Sequence, residues 1–218
     1  AHLASRGYVV IAPDHPGRMM GDVLPCLFEP ALQGCDLTGF IEDPAVDDLD
    51  EALSWVESQP DWLSMDAATI GLSGHSAGGS STTTVGSGDD RISALLPMAG
   101  AGTVERDVPT LIIDGTCDGI VPTASTSAAA EASVSADIAH IAGAGHLAFS
   151  DLCRLDLAGM ADELLAGRDD LNAAFYDQLI ALGTDGCAGV VPSVESADCD
   201  GAYPVSYTHL RAHETVRN

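Results

Sequence analysis

The residues best suited to do chemistry are a serine, a pair of aspartates and a histidine, each just past a short apolar run. Gly74-His75-Ser76-Ala77-Gly78 matches G-x-S-x-G. In a chain with 23 glycines the pattern alone says little; its place between an apolar run and a stretch of small residues gives it weight. A serine on a sharp strand-to-helix turn has its hydroxyl lifted clear of the sheet. The next backbone N–H, that of Ala77, then faces a developing oxyanion, and the helix N-terminus adds positive potential. Glycines at 74 and 78 suit such a turn, since bulky neighbours two residues either side would clash. A serine hydroxyl is a poor nucleophile without a base. Downstream, LIIDGTCDGIVP offers Asp114 and Asp118, and AGAGHLAFSDLC offers His146. Ser76 and Asp118 are 42 residues apart and Asp118 and His146 are 28 apart, so each gap holds one strand–helix unit and a loop. The chemistry would be acyl transfer, with Ser76 attacking, His146 taking its proton and an aspartate orienting the imidazole.

The elements that must hold these residues alternate between strand and helix. The first residues, AHLASRGYVVIAPDHPG, predict the end of a helix, a glycine stop at Gly7 and a buried strand over Tyr8–Ala12. An irregular stretch from Pro13 to Asp43 follows. From Pro44 the pattern turns helical, with Val46, Leu49, Ala52, Leu53 and Val56 at spacings of three and four. Strands are predicted over Ala68–Leu72, Ile92–Met98, Thr110–Ile113 and Ala136–Ile141. Helices are predicted over Ser76–Val85, Ala124–Ala132, Leu155–Leu165 and Leu171–Leu182. Short apolar strands alternating with helices argue an α/β fold with a mainly parallel sheet and helices on both faces. His140 lies inside a strand and is expected to be a packed core residue. His75 is expected to support the turn around Ser76, and His15, in DHPG, to shape a loop near the site. Trp55 and Trp62 flank the Pro44 helix as core or rim residues.

Composition narrows the partners. Thirty-three acidic residues against eight basic ones, all arginine, give a net charge of −25. Such a surface repels phosphate backbones and anionic membranes, so nucleic acid is not expected as a partner. No run reaches the roughly 18 apolar residues of a membrane span. The six cysteines form no CxxC or Cys/His cluster, and Asp198-Cys199-Asp200-Gly201 lacks EF-hand spacing, so neither metal nor cofactor is expected. An even cysteine count points instead to disulfides and an oxidising compartment, periplasmic or extracellular, although no signal peptide is visible.

Three motifs together, GHSAGG, LIIDGTCDGIVP and GAGH, resemble the α/β-hydrolase family over residues 1–183. HLASRGYVVIAPDHPG resembles the family's helix and strand before its variable loop, and the chain looks closest to dienelactone-hydrolase-like, cutinase-like and polyester-hydrolase-like serine esterases. The resemblance implies a serine hydrolase of carboxylic esters, acting as a monomer on small or lipid-like esters. It implies catalytic roles for Ser76, Asp118 and His146, with the Ala77 N–H in the oxyanion hole, and it favours Asp118 over Asp114. There are departures. Polyester hydrolases tend to carry Met where Ala77 stands and a Trp where Met98-Ala99-Gly100 stands. The family's other oxyanion donor comes from a loop after an earlier strand that the sequence does not contain. The chain therefore reads as one whose first strands are missing, and a second reading is a catalytically impaired fragment or a binding protein.

The resemblance also implies a disulfide joining the acid and base loops, Cys117–Cys153, since some polyester-hydrolase-like esterases carry one there. Proximity in sequence would then pair Cys26–Cys35 and Cys187–Cys199, although six cysteines allow 15 arrangements. Residues 184–205 are thus expected to form a disulfide-closed C-terminal loop. The last 13 residues, 206–218, hold two of the eight arginines and two of the seven histidines. They read as a translated adaptor read-through tail outside the fold.

Overall fold

The structure is a computed structural model and describes residues 2–17, 19, 46–59, 69–154, 159, 183–187 and 199. Its centre is a four-stranded parallel sheet, β1 (Ile70–His75), β2 (Ile92–Met98), β3 (Thr110–Gly115) and β4 (Ala136–Ile141), ordered β1-β2-β3-β4. Helices α1 (His2–Ser5), α2 (Val46–Glu57), α3 (Ala77–Gly88) and α4 (Thr123–Ala132) accompany it. α3 packs on β1 and β2, α4 on β3 and β4, and α2 on α3. The α/β class with a parallel sheet is therefore the observed one. The helices predicted over 155–165 and 171–182, the pair Cys26–Cys35 and the tail 206–218 lie outside the described residues.

Register runs continuously from Thr110↔Ala136 to Gly115↔Ile141 between β3 and β4, and from Gly71↔Ala94 to His75↔Met98 between β1 and β2. The C-terminal ends of three strands consequently reach one edge of the sheet together, where Ser76, Asp118 and His146 follow. Leu53, Val85, Ile92, Leu95, Val104 and Val108 form the buried cluster beneath, with Val46, Leu49, Ile70 and Leu72 packed against it. Full burial of each such side chain is worth about 1.5–3 kcal/mol.

α3, with the sequence AGGSSTTTVGSG, is a poor helix by propensity, and the sheet holds it. Its hydroxyls turn inward on its own backbone: Ser81, Thr82 and Thr84 donate four residues back and Thr83 three. Small residues let it sit close to the sheet; a methyl group on Gly79 would lie 2.2 Å from the Gly100 carbonyl oxygen.

Two expectations need correcting here. Tyr8–Ala12 is neither a strand nor buried: Tyr8 is 65% and Val9 55% exposed, although the helix before it and the stop at Gly7 (φ +92°) are present. An apolar run becomes a strand only where a neighbouring strand takes up its backbone hydrogen bonds. Among the described residues β1 pairs with β2 alone, and nothing pairs with residues 8–12. The second correction concerns the cysteines. The structure pairs Cys117 with Cys199 and Cys153 with Cys187, so neither Cys117–Cys153 nor Cys187–Cys199 forms. The acid and base loops do lie side by side, but backbone hydrogen bonds join them: Cys117 N–H donates to the Ala144 carbonyl and Thr116 N–H to that of Ile141. Each loop's cysteine then reaches to a C-terminal partner. Disulfides of this kind persist in oxidising compartments, and among the described residues no helix is long and apolar enough to cross a membrane.

Candidate active site

Ser76 links β1 to α3 at φ 57°, ψ −120°, a left-handed conformation that a residue with a side chain seldom adopts. The backbone is held there by Ser76 N–H donating to the Met98 carbonyl and by Gly79 N–H donating to the Ser76 carbonyl. The steric demand behind the motif falls differently from expectation. A methyl on Gly74 would meet the Gly78 carbonyl oxygen at 2.1 Å, whereas one on Gly78 would meet nothing within 4 Å. Gly100, after β2, is as constrained as Gly74, since its methyl would lie 2.3 Å from the Ser76 carbonyl oxygen. Ala77 begins α3, so its N–H is among the first-turn donors that have no intrahelical acceptor.

Asp118 follows β3 after a turn closed by its own N–H to the Gly115 carbonyl. Its Oδ1 accepts from Ile120 N–H at 2.9 Å and Val121 N–H at 2.7 Å, which fixes the carboxylate and leaves Oδ2 for His146 Nδ1 at 2.8 Å. His146 Nε2 lies 2.8 Å from Ser76 Oγ. Asp118 and His146 are buried and Ser76 is half-buried, so the hydrogen-bond chain runs from the interior to a reachable hydroxyl. With Nδ1–H donating to Asp118, Nε2 is left as the acceptor for the serine proton.

The other aspartate considered, Asp114, is not part of this chain. It is fully buried on β3 and accepts from His140 Nδ1 at 2.6 Å and from Thr126 Oγ on α4. This also revises His140, whose side chain is 40% exposed instead of packed in the core. β3 and β4 pair Asp114 directly with His140, so the hydrogen bond follows from register. His15 pairs with Asp48 of α2 at 2.9 Å.

Two contacts around His146 had no sequence signal. His75 Nε2–H donates to the His146 carbonyl at 2.8 Å, with ring centroids 4.8 Å apart; burial pushes the His75 imidazole below its ordinary value and keeps it a neutral donor. Asp185, 2% exposed, accepts His146 N–H through Oδ2 at 2.8 Å. Among the described residues no group of His, Cys, Asp and Glu could hold a metal ion.

No protein-family profile matches the chain, and no curated protein does. Solved structures resemble it in part. An α/β serine hydrolase homologue from Coxiella burnetii is 28% identical with a TM-score of 0.39, over 46% of this chain and 50% of that one. A thermostable esterase is 20% identical with a TM-score of 0.36, over 43% and 28%. A protein described as a dienelactone hydrolase from Klebsiella pneumoniae subsp. pneumoniae is 15% identical with a TM-score of 0.39, over 64% and 60%. The chain spans about half the length of the first of these and less than two thirds of each, and its similarity to hydrolases is of that partial kind.

Proposed function

We propose that the chain is a serine hydrolase of the α/β-hydrolase type that cleaves carboxylic esters through an acyl-enzyme. The observation that carries this reading is the unbroken chain Ser76 Oγ, His146 Nε2, His146 Nδ1, Asp118 Oδ2, each link 2.8 Å. Ser76 attacks the ester carbonyl as its proton passes to His146 Nε2, and Asp118 holds the ring and stabilises the imidazolium. The Ala77 N–H donates to the oxyanion. Collapse of the tetrahedral intermediate expels the alcohol, which takes the proton from His146 and leaves Ser76 acylated. Water, giving a proton to the same Nε2, attacks the acyl carbon; the acid departs and Ser76 recovers its proton. The paired cysteines support action outside the cytoplasm, secreted or periplasmic.

The test combines labelling and turnover. A fluorophosphonate should modify Ser76 and no other residue. Ser76→Ala and His146→Ala should each lower short-chain ester turnover by about 10⁴-fold or more without loss of fold, since the members act as a unit. His140→Ala should leave turnover within a few fold. Labelling that survives Ser76→Ala would refute the assignment, and labelling of Ser76 without ester turnover would favour the impaired or binding reading.

A further inference from the structure

Asp185 sits in a short turn far from the three residues in sequence, yet it touches the loops of two of them. Its Oδ2 accepts both His146 N–H at 2.8 Å and Gly119 N–H, the residue after Asp118, at 3.1 Å. Its own carbonyl accepts Leu147 N–H at 2.7 Å, and Cys187 N–H closes the turn onto the Thr184 carbonyl at 2.9 Å. Gly186, at φ +92°, lies flat on Gly145: an added methyl would come within 2.7 Å of the Gly145 carbonyl carbon. The disulfide Cys153–Cys187 then ties this turn to the chain just beyond the base loop.

One oxygen shared by two N–H groups from different loops sets the distance between those loops. That distance also governs the bond from His146 Nδ1 to Asp118 Oδ2, because each residue is a neighbour of, or the same as, a donor to Asp185. We infer that Asp185 is a positioning residue for the proposed hydrolysis. Its carboxylate, buried and away from the reacting atoms, holds the acid and base loops in the register that lets His146 face Ser76. The inference rests on the triad reading for its effect on rate, but the loop contact itself can be read without turnover. Charge-assisted bonds from N–H groups to a carboxylate are about twice as strong as neutral ones, which suits a group clamping two loops.

The test uses the full chain with Asp185→Ala and Asp185→Asn, and active sites are titrated with a fluorophosphonate so that rates refer to competent protein. Asp185→Ala should lower kcat per titrated site by about 10–100-fold, the scale of a 1 Å misplacement, with KM within about twofold. Asp185→Asn, whose amide oxygen can reach both N–H groups, should recover kcat to within about fivefold of the parent. In proton NMR the low-field Nδ1–H resonance of His146 should persist in the parent and Asp185→Asn and vanish in Asp185→Ala. If the alanine chain does not fold, Asp185→Ser, too short to span both donors, is read the same way. An unchanged kcat per titrated site with an unchanged resonance would make Asp185 merely structural and overturn the inference. A parent chain without ester turnover would sink the hydrolase reading instead, and the resonance alone would then decide the loop contact.

Discussion

Removing Cys153–Cys187 separates the stability of the C-terminal attachment from its effect on the site. Its cysteines are 34 residues apart, and the chain-entropy relation gives about 4 kcal/mol for a loop of that size. Cys117–Cys199 spans 82 residues, but with the inner bridge closed its effective loop shrinks to roughly 50, which again gives about 4 kcal/mol. In the double variant Cys153→Ala/Cys187→Ala, the midpoint of urea unfolding should therefore fall by about 4 kcal/mol divided by the measured m-value. In a chain of this size that corresponds to roughly 8–16 °C in Tm. Because Cys187 lies two residues after Asp185, kcat should also fall, while the variant lacking Cys117–Cys199 should lose similar stability with Asp185 still anchored. The assay is urea unfolding followed by circular dichroism, paired with ester turnover on the same oxidised samples. A loss below about 1 kcal/mol in both variants, or peptide mapping that recovers Cys187 joined to Cys199, would refute the reasoning.

Two further outcomes follow from local geometry and charge. Gly100→Ala places a methyl 2.3 Å from the Ser76 carbonyl oxygen, so it should cost about 1–3 kcal/mol and slow fluorophosphonate labelling of Ser76 about 100-fold; Gly78→Ala, with open space, should do neither. Acid should weaken the fold through His75 and Asp89. Burial holds His75 below 6.5, and hydrogen bonds from Arg91 hold Asp89 below 3.8. In both cases the unfolded chain binds the proton more readily, so the stability these groups support is complete above those values and drains away as pH falls below each in turn. The urea midpoint should consequently fall less between pH 7.5 and 5.5 in His75→Gln than in the parent, and equal losses would contradict this account.

Much of the sheet was legible because buried strands are short apolar runs bounded by turn residues. Ile92–Met98 and Ala136–Ile141 match expectation to the residue. β1 runs through Ser73 and Gly74 to His75, past the predicted end at Leu72, because small residues at a crowded turn carry no apolar signal. Tyr8–Ala12 shows the limit: apolarity states a demand for burial but names no partner to meet it. Ser76, Asp118 and His146 were legible as candidates because each stands just after a strand, and the parallel strands of one sheet carry such positions to the same edge. Asp185 was not, since an aspartate in a Gly- and Asp-rich stretch reads as a turn former. The cysteine pairings failed on separate grounds: Cys187–Cys199 rested on nearness along the chain, whereas Cys117–Cys153 rested on the resemblance and on loops that do meet, but through backbone hydrogen bonds to Ala144 and Ile141.

The nesting of one disulfide inside the other has a consequence in time. Both need a cysteine made late, 187 or 199, so neither can close until nearly all of the described chain has been synthesised. At about 5–20 residues per second, Cys117 waits roughly 4–16 s for a partner 82 residues downstream. Cys26 and Cys35 are present as competing thiols throughout that interval, and Cys153 joins them once another 36 residues have been made. Native pairing thus depends on exchange through mixed disulfides more than on order of appearance. Production in a host compartment with disulfide isomerase activity should raise the yield of correctly bridged chain, whereas an oxidant alone should trap early, non-native pairs.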